Sequence, residues 1–406
     1  MQAGQHDVEH AVGVVEHTVQ FVVGLLDGAA GRDQGDAFLV RHNGSARSIA
    51  KTPAGGQHQH RQKRRLCWQK VVAGIGGCYN VAVLYRPFGS SGVKVSAIGL
   101  GSWLTIGNSI DDKSSQNLVA HAYENGVNLF DTADVYNNGE AERALGLSIK
   151  ELPRHQLVIA SKCFFPMSED VNDRGLSRKH IHESIRKSLQ RLGTDYVDLY
   201  QCHRFDPEVP IRETALAMHD LIQQGHILYW GVSMWPAERI AEVVAMCRSE
   251  GWHLPITNQP LYNLYRREIE TAVVPTSMRE RMGQLVYSPL AQGVLTGKYK
   301  PGEAPPPGSR ATEESGKKFV NNFMSDDHLQ KAQKLVALAK KYELDATRVA
   351  LAFCLRNPGV AAVLVGARTT AQLDHNLSAV EVTLSDECVA ELEAIFPVMD
   401  PSGQFS

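Results

Sequence analysis

From Tyr85 onward, short apolar runs alternate with amphipathic helical patterns. This rhythm restricts the chain to folds in which helices cover a parallel sheet. The apolar runs predict strands over Ala97–Leu100, Val127–Asp131, Leu157–Lys162, Val197–His203, Ile227–Ser233, Pro255–Asn258, Gln284–Tyr287 and Ala362–Val365. Between them, Ile181, Ile185, Leu189 and Leu192 recur at helical spacing, as do Leu329, Ala332, Val336 and Ala339. Ser177 and Ser385 are placed as N-caps, the latter ahead of Asp386 and Glu387. Eight strand–helix units imply an α/β fold of the (β/α)8 TIM-barrel type. A doubly wound sheet is the rival, but Leu104 stands where its phosphate fingerprint needs a third glycine after Gly99 and Gly101. Ahead of the barrel, Tyr85–Phe88, the turn Gly89–Gly92 and Lys94–Ser96 read as a β-hairpin.

Upstream of Tyr85 the character changes. Six of the 16 histidines (6, 10, 17, 42, 58 and 60) fall in residues 1–84, with loose Gln and Gly and a basic run over Arg61–Arg65. No segment there offers enough apolar area to offset its ordering entropy. The expected organisation is therefore an extension over 1–84 and a barrel over 85–406. The extension reads as a disordered arm, or as sequence ahead of a true start near Val83 or Leu84. The sharper readings are a metal tract at His58–His60 and a nucleic-acid patch at Arg61–Arg65, and composition favours a solvated disordered arm over both.

A net charge of −2 gives no field to attract nucleic acid. Seven scattered cysteines without a CxxC pair fit neither a disulfide scaffold nor a zinc site, and point to a reducing cytoplasm. Ala11–Leu26 carries Glu16, His17 and Gln20, which are costly in hydrocarbon, so no membrane insertion is expected.

Function in a barrel sits at the C-terminal ends of strands. Asp131, Lys162 and His203 close predicted strands, and Tyr136 follows Asp131 in the next loop. Alternation turns Lys162, Ala160 and Val158 inward together, as it does His203, Gln201 and Leu199, leaving Cys163 and Cys202 toward the helices. A lysine at an apolar barrel mouth needs a counter-charge, which Asp131 supplies. A phenol beside that ammonium is expected to have a lowered pKa and to give a proton to a carbonyl oxygen that His203 orients. The four together predict carbonyl reduction, with only a hydride source to be added.

The segments Asn128–Tyr136 (NLFDTADVY), Ile159–Lys162 (IASK), Asp198–His203 (DLYQCH), Gly231–Ser233 (GVS) and Tyr287–Ala291 (YSPLA) resemble the aldo-keto reductase superfamily. Gly175–Ile181 (GLSRKHI), Tyr229–Gly231 (YWG) and Cys354–Asn357 (CLRN) are most similar to the branch containing voltage-gated potassium channel β subunits and their microbial relatives. The resemblance runs from about Tyr85 to Val380. It implies a barrel floor closed by the hairpin and NADP(H) lying across the strand ends, with Asp131, Tyr136, Lys162 and His203 as the catalytic tetrad. By the same matching, Ser233 and Gln259 hold the nicotinamide carboxamide, Tyr287 stacks on the ring, and Ser288, Leu290 and Gln292 form the pyrophosphate-side loop. Lys298 and Arg310 lie in a Pro-rich insertion that in relatives folds over the cofactor. Gly366, Arg368, Gln372 and Asn376 match the adenosine end. Arg368 also precedes a helix start at Thr369 or Thr370, where amide donors favour a phosphate.

Animal channel subunits carry Asn at the position of His203, Arg at Met234, Cys at Gln292, Ser at Arg368 and Glu at His375. His203 favours a working reductase, and Arg368 favours the 2′-phosphate of NADP. The expected function is NADPH-dependent reduction of aldehydes or ketones. The alternatives are an NADPH-binding regulatory or redox-sensing channel subunit with low turnover, and a non-redox barrel enzyme. A homo-oligomer or a channel partner stays open. Trp103, Phe164, Arg204 and Trp235 are the expected lining of a pocket for a small carbonyl substrate, with no metal required.

Overall fold

A computed structural model describes residues 83–398; the expectations for the upstream arm and its His and Arg tracts lie outside those residues. Two short strands, β1 (Tyr85–Pro87) and β2 (Lys94–Ser96), pair antiparallel, as the turn residues between them imply. Eight parallel strands follow: β3 (Ile98–Gly101), β4 (Leu129–Asp131), β5 (Val158–Cys163), β6 (Val197–Cys202), β7 (Ile227–Ser233), β8 (Thr257–Gln259), β9 (Gly283–Tyr287) and β10 (Val360–Val365). They close in the order β10-β3-β4-β5-β6-β7-β8-β9, the (β/α)8 barrel expected from the alternation. Strand β8 begins two residues later than expected, past Pro255, which has no N–H to give a ladder.

Side-chain alternation divides the core into two bodies. Leu129, Val158, Ala160, Leu199, Leu285, Ala362 and Leu364 pack inside the barrel. Ile159, Cys163, Tyr200, Cys202, Trp230, Val232 and Val363 pack outward against the helices. Phe88 and Val95 of the hairpin join the inner cluster and close the floor. Burying a ring such as Phe88 contributes about 2–3 kcal/mol. The hairpin seats this closely because Gly89, at φ +60°, has no Cβ; one built there would lie 2.0 Å from the Ile256 carbonyl oxygen.

The helix Arg178–Leu192 is capped by Ser177 and buries Ile181, Ile185 and Leu192. Ser385 caps Asp386–Ile395. The face expected for Asp326–Lys341 needs one correction. Val336 is 37% exposed, and Leu335 and Leu338 point inward in its place. Among the described residues five cysteines are free and buried, including Cys163 and Cys202. No helix among those residues is long and apolar enough to cross a membrane.

Candidate active site

Strand register assembles the site. Asp131 ends β4 opposite Ala160, and Lys162 stands two residues further along β5, opposite Gln201 of β6. The Lys162 ammonium is fully buried and donates to Asp131 Oδ1 at 2.6 Å, to the Thr132 carbonyl at 2.8 Å and to Tyr136 Oη at 3.2 Å. Three acceptors therefore meet three N–H donors, the condition under which a buried charge is tolerated. Asp131 Oδ2 accepts from Gln259 Nε2 at 2.8 Å, which ties β4 across the barrel to β8. Ser233 Oγ in turn donates to the Gln259 carbonyl at 2.8 Å. Tyr136 begins a tight turn in which Asn137 and Asn138 have φ of 48° and 51°, conformations that Asn tolerates better than most residues. Its ring lies 5.7 Å from that of His203, edge to face.

The electrostatics depart from expectation at one point. Burial raises the Tyr136 pKa above the ordinary phenol value, and the opposing pull of Lys162 does not cancel it. The lowered pKa expected from the cation alone is therefore corrected. Burial would drive Lys162 toward neutrality, but Asp131 and Tyr136 outweigh it and its pKa stands above normal. His203 is held well below its usual value, first by burial and then by the charges of Lys162 and Arg204. Tyr136 is thus a protonated donor and His203 a neutral imidazole near neutral pH. Behind the tetrad loop, Asp134 is buried against the Ser184 hydroxyl at 2.8 Å. Burial, with the Glu142 carboxylate nearby, pushes its pKa up to about 7.

Two cavities open above these residues. A cleft of about 350 Å³ is lined by Gln259, Tyr287, Ser288, Leu290, Gln292, Lys298, Arg310, Gly366, Arg368, Gln372 and Asn376, together with Asp131 and Tyr136. Ser233 lines the second cavity instead. Lys298 and Arg310 both have pKa values lowered by burial and then by neighbouring cations. Arg310 donates to Gln292 Oε1 at 2.5 Å. Arg368 pairs with Glu313 and donates to the Gly308 carbonyl at 3.0 Å. The helix Thr370–Leu377 is capped by Thr369, and the Arg368 amide is taken by Gln372 Oε1 at 2.9 Å. Ser288, Ala291, Gln292 and Gly293 all adopt positive φ, which turns the backbone sharply along the cleft wall. Three crowded cations with one carboxylate among them suit a ligand with several phosphates. His375 also lines the cleft and pairs with Asp345 at 3.1 Å.

The second cavity, about 540 Å³, is lined by Trp103, Tyr136, His203 and Arg204, and by Phe165, Phe319 and Phe323. Phe164 and Trp235 do not line it, which corrects two expected pocket residues. Both are loop aromatics just past a strand end, where packing competes with lining the cavity. Strand β5 stops at Cys163, so Phe165 takes the cavity and Phe164 packs against the outer core. Strand β7 stops at Ser233, Met234 turns with φ 56°, and Trp235 is buried edge-on to Phe205 at 5.1 Å. The sequence carries no signal for Phe319, Phe323 or Glu313, because the excursion that brings them lies between β9 and β10 without a repeating pattern.

A closed parallel barrel with Asp, Tyr, Lys and His gathered at its strand ends, beside a cationic cleft, defines the class. The chain belongs to the Aldo/keto reductase family, whose sequence model matches residues 97–396. Among its relatives is a "Probable voltage-gated potassium channel subunit beta" of Arabidopsis thaliana. That protein is 41% identical over 301 residues, covering 73% of this chain and 91% of the relative. A protein of the same name from Oryza sativa subsp. japonica is 39% identical over 316 residues, covering 77% and 96%.

Proposed function

We propose that this protein is an NADPH-dependent reductase of aldehydes or ketones. The observation that carries the reading is the position of Tyr136, which lines both the cationic cleft and the aromatic cavity. A reduced nicotinamide, when bound, supplies a hydride to the carbonyl carbon. The Tyr136 hydroxyl gives its proton to the carbonyl oxygen, and the phenolate left behind is stabilised by the Lys162 ammonium. Asp131 keeps that ammonium charged, and neutral His203 orients the carbonyl oxygen. In this reading Ser233 and Gln259 hold the carboxamide, and Tyr287 stacks on the ring. Ser288, Leu290 and Gln292 face the pyrophosphate, with Lys298 and Arg310 overhead. Gly366, Arg368, Gln372 and Asn376 take the adenosine end, with Arg368 on the 2′-phosphate. Loss of nicotinamide absorbance with a panel of small aldehydes tests it, and Tyr136→Phe should slow turnover about 10²–10⁴-fold with NADPH affinity kept. Near-wild-type turnover by that variant removes Tyr136 from the role.

The names of the two relatives favour association with a potassium channel. The second reading we infer joins that association to NADPH binding with slow turnover. Co-purification with a channel, together with negligible aldehyde reduction, would select it.

A further inference from the structure

We propose that Arg204 makes the aromatic cavity selective for aldehydes that carry a carboxylate a few carbons from the carbonyl. The inference rests on the reductase reading of this cavity. Arg204 follows His203 directly and is half-buried, and it donates to the His203 carbonyl at 2.5 Å. Its guanidinium lies over the Phe165 ring, 5.3 Å from the centroid, and the same ring stands 4.9 Å from that of His203. Phe165 thus joins the cation to the residue that orients the carbonyl, which keeps the two ends of a substrate close.

The charge on Arg204 is not balanced. The other cation of the cavity, Arg266, is paired with Glu268 at 2.6 Å. No Asp or Glu lines this cavity, and among the described residues Arg204 makes no ion pair. A guanidinium held by one carbonyl and one ring face keeps N–H donors free in a fork that matches a carboxylate. Around it, Trp103, Phe165, Phe319 and Phe323 give apolar walls for the remainder of the substrate. One uncompensated positive charge matches a monoanion better than a phosphate ester.

The test compares 4-carboxybenzaldehyde with its methyl ester, using the full chain and NADPH. The wild type should favour the acid in kcat/KM by about tenfold to a hundredfold, mostly through KM, as one charge-assisted contact implies. The preference should shrink as salt rises. Arg204→Gln should lower the acid-to-ester ratio by about the same factor, and Arg204→Lys should recover part of it. A wild type without preference for the acid overturns the proposal, as does a variant in which both substrates fall with the ratio unchanged. A stronger preference for a phosphorylated aldehyde would replace the carboxylate as the recognised group. If no aldehyde is reduced, it is the reductase reading that fails. Calorimetric titration with 4-carboxybenzyl alcohol and its methyl ester then still decides the role of Arg204, since only the acid should weaken in Arg204→Gln.

Discussion

Lys162 Nζ lies 2.6 Å from Asp131 Oδ1, with both side chains inside the barrel mouth and the lysine without solvent contact. Removing one partner of such a pair leaves a buried charge uncompensated, which costs about 3–5 kcal/mol. Asp131→Asn should therefore lower stability toward urea by that order at neutral pH, besides reducing turnover. Adding Lys162→Met should recover part of the stability while activity stays lost. A variant Asp131→Asn as stable as wild type would mean that Thr132 and Tyr136 suffice to hold the ammonium.

The pH profile of reduction follows from two opposite shifts. His203 is held well below its usual value, so it is neutral through the physiological range. Tyr136 is raised, so it keeps its proton past the ordinary phenol range. Turnover under saturating substrates should then stay level between about pH 6 and 9, without a limb at the usual His pKa. A single ionisation near pH 7 that vanishes in Tyr136→Phe would show that the lysine field overrides burial once ligands are bound.

The meeting of Asp131 and Lys162 was legible because both stand at strand ends, where alternation fixes the direction of a side chain. Tyr136 lies in a loop, and only its motif marked it. The pocket lining was harder to read, because no strand fixes the direction of a loop aromatic. Phe164 and Trp235 follow β5 and β7 by one and two positions, where a turn has already changed the parity. The barrel itself was legible because parallel strands buried on both faces read as apolar runs. The Tyr136 shift was not legible: a neighbouring cation can be inferred from motif spacing, but the depth of burial that outweighs it cannot. Glu313 escaped for another reason. Its partner Arg368 lies 55 residues away, on the far side of β10.

Asp134 gives a stability test separate from catalysis. Its pKa is raised from 3.8 to about 7 by burial, then by Glu142, against the Ser184 hydrogen bond. A folded-state pKa above the unfolded one means tighter proton binding in the fold. The stabilising effect is thus complete below about pH 4 and is lost as pH rises to about 7. Asp134→Asn mimics the protonated acid and should gain on wild type across that window, by up to about 4 kcal/mol above pH 7. Urea unfolding of both proteins at the two ends of the window measures the difference. A gap independent of pH would locate the titrating group elsewhere.

Gly366 separates the needs of the fold from those of the ligand. A Cβ built there meets nothing closer than Thr105 Cγ2 at 3.5 Å, an ordinary contact. Gly366→Ala should therefore fold and melt like wild type. If the cofactor backbone passes over this glycine, the methyl group should weaken NADPH about tenfold or more through lost close approach. Unchanged affinity on titration by fluorescence would move the cofactor away from this wall.

In the proposed reading, Arg368 sets the choice of nicotinamide cofactor. Its guanidinium is engaged by Glu313 and the Gly308 carbonyl, and it shares the cleft with Lys298 and Arg310. A 2′-phosphate carries nearly two negative charges, and one charge-assisted contact to it contributes about 1.5–3 kcal/mol. Arg368→Ala should weaken NADPH about tenfold to a hundredfold. NADH lacks the phosphate and should bind the variant nearly as it binds wild type, so the preference narrows. Glu313→Gln acts in the opposite sense: it removes the carboxylate that competes for the guanidinium and should tighten NADPH but not NADH. Fluorescence titration of both cofactors against the three proteins checks each expectation. Equal weakening of NADH and NADPH in Arg368→Ala would show that the arginine serves the helix start or another phosphate, and a wild type that prefers NADH would remove NADP from the proposal.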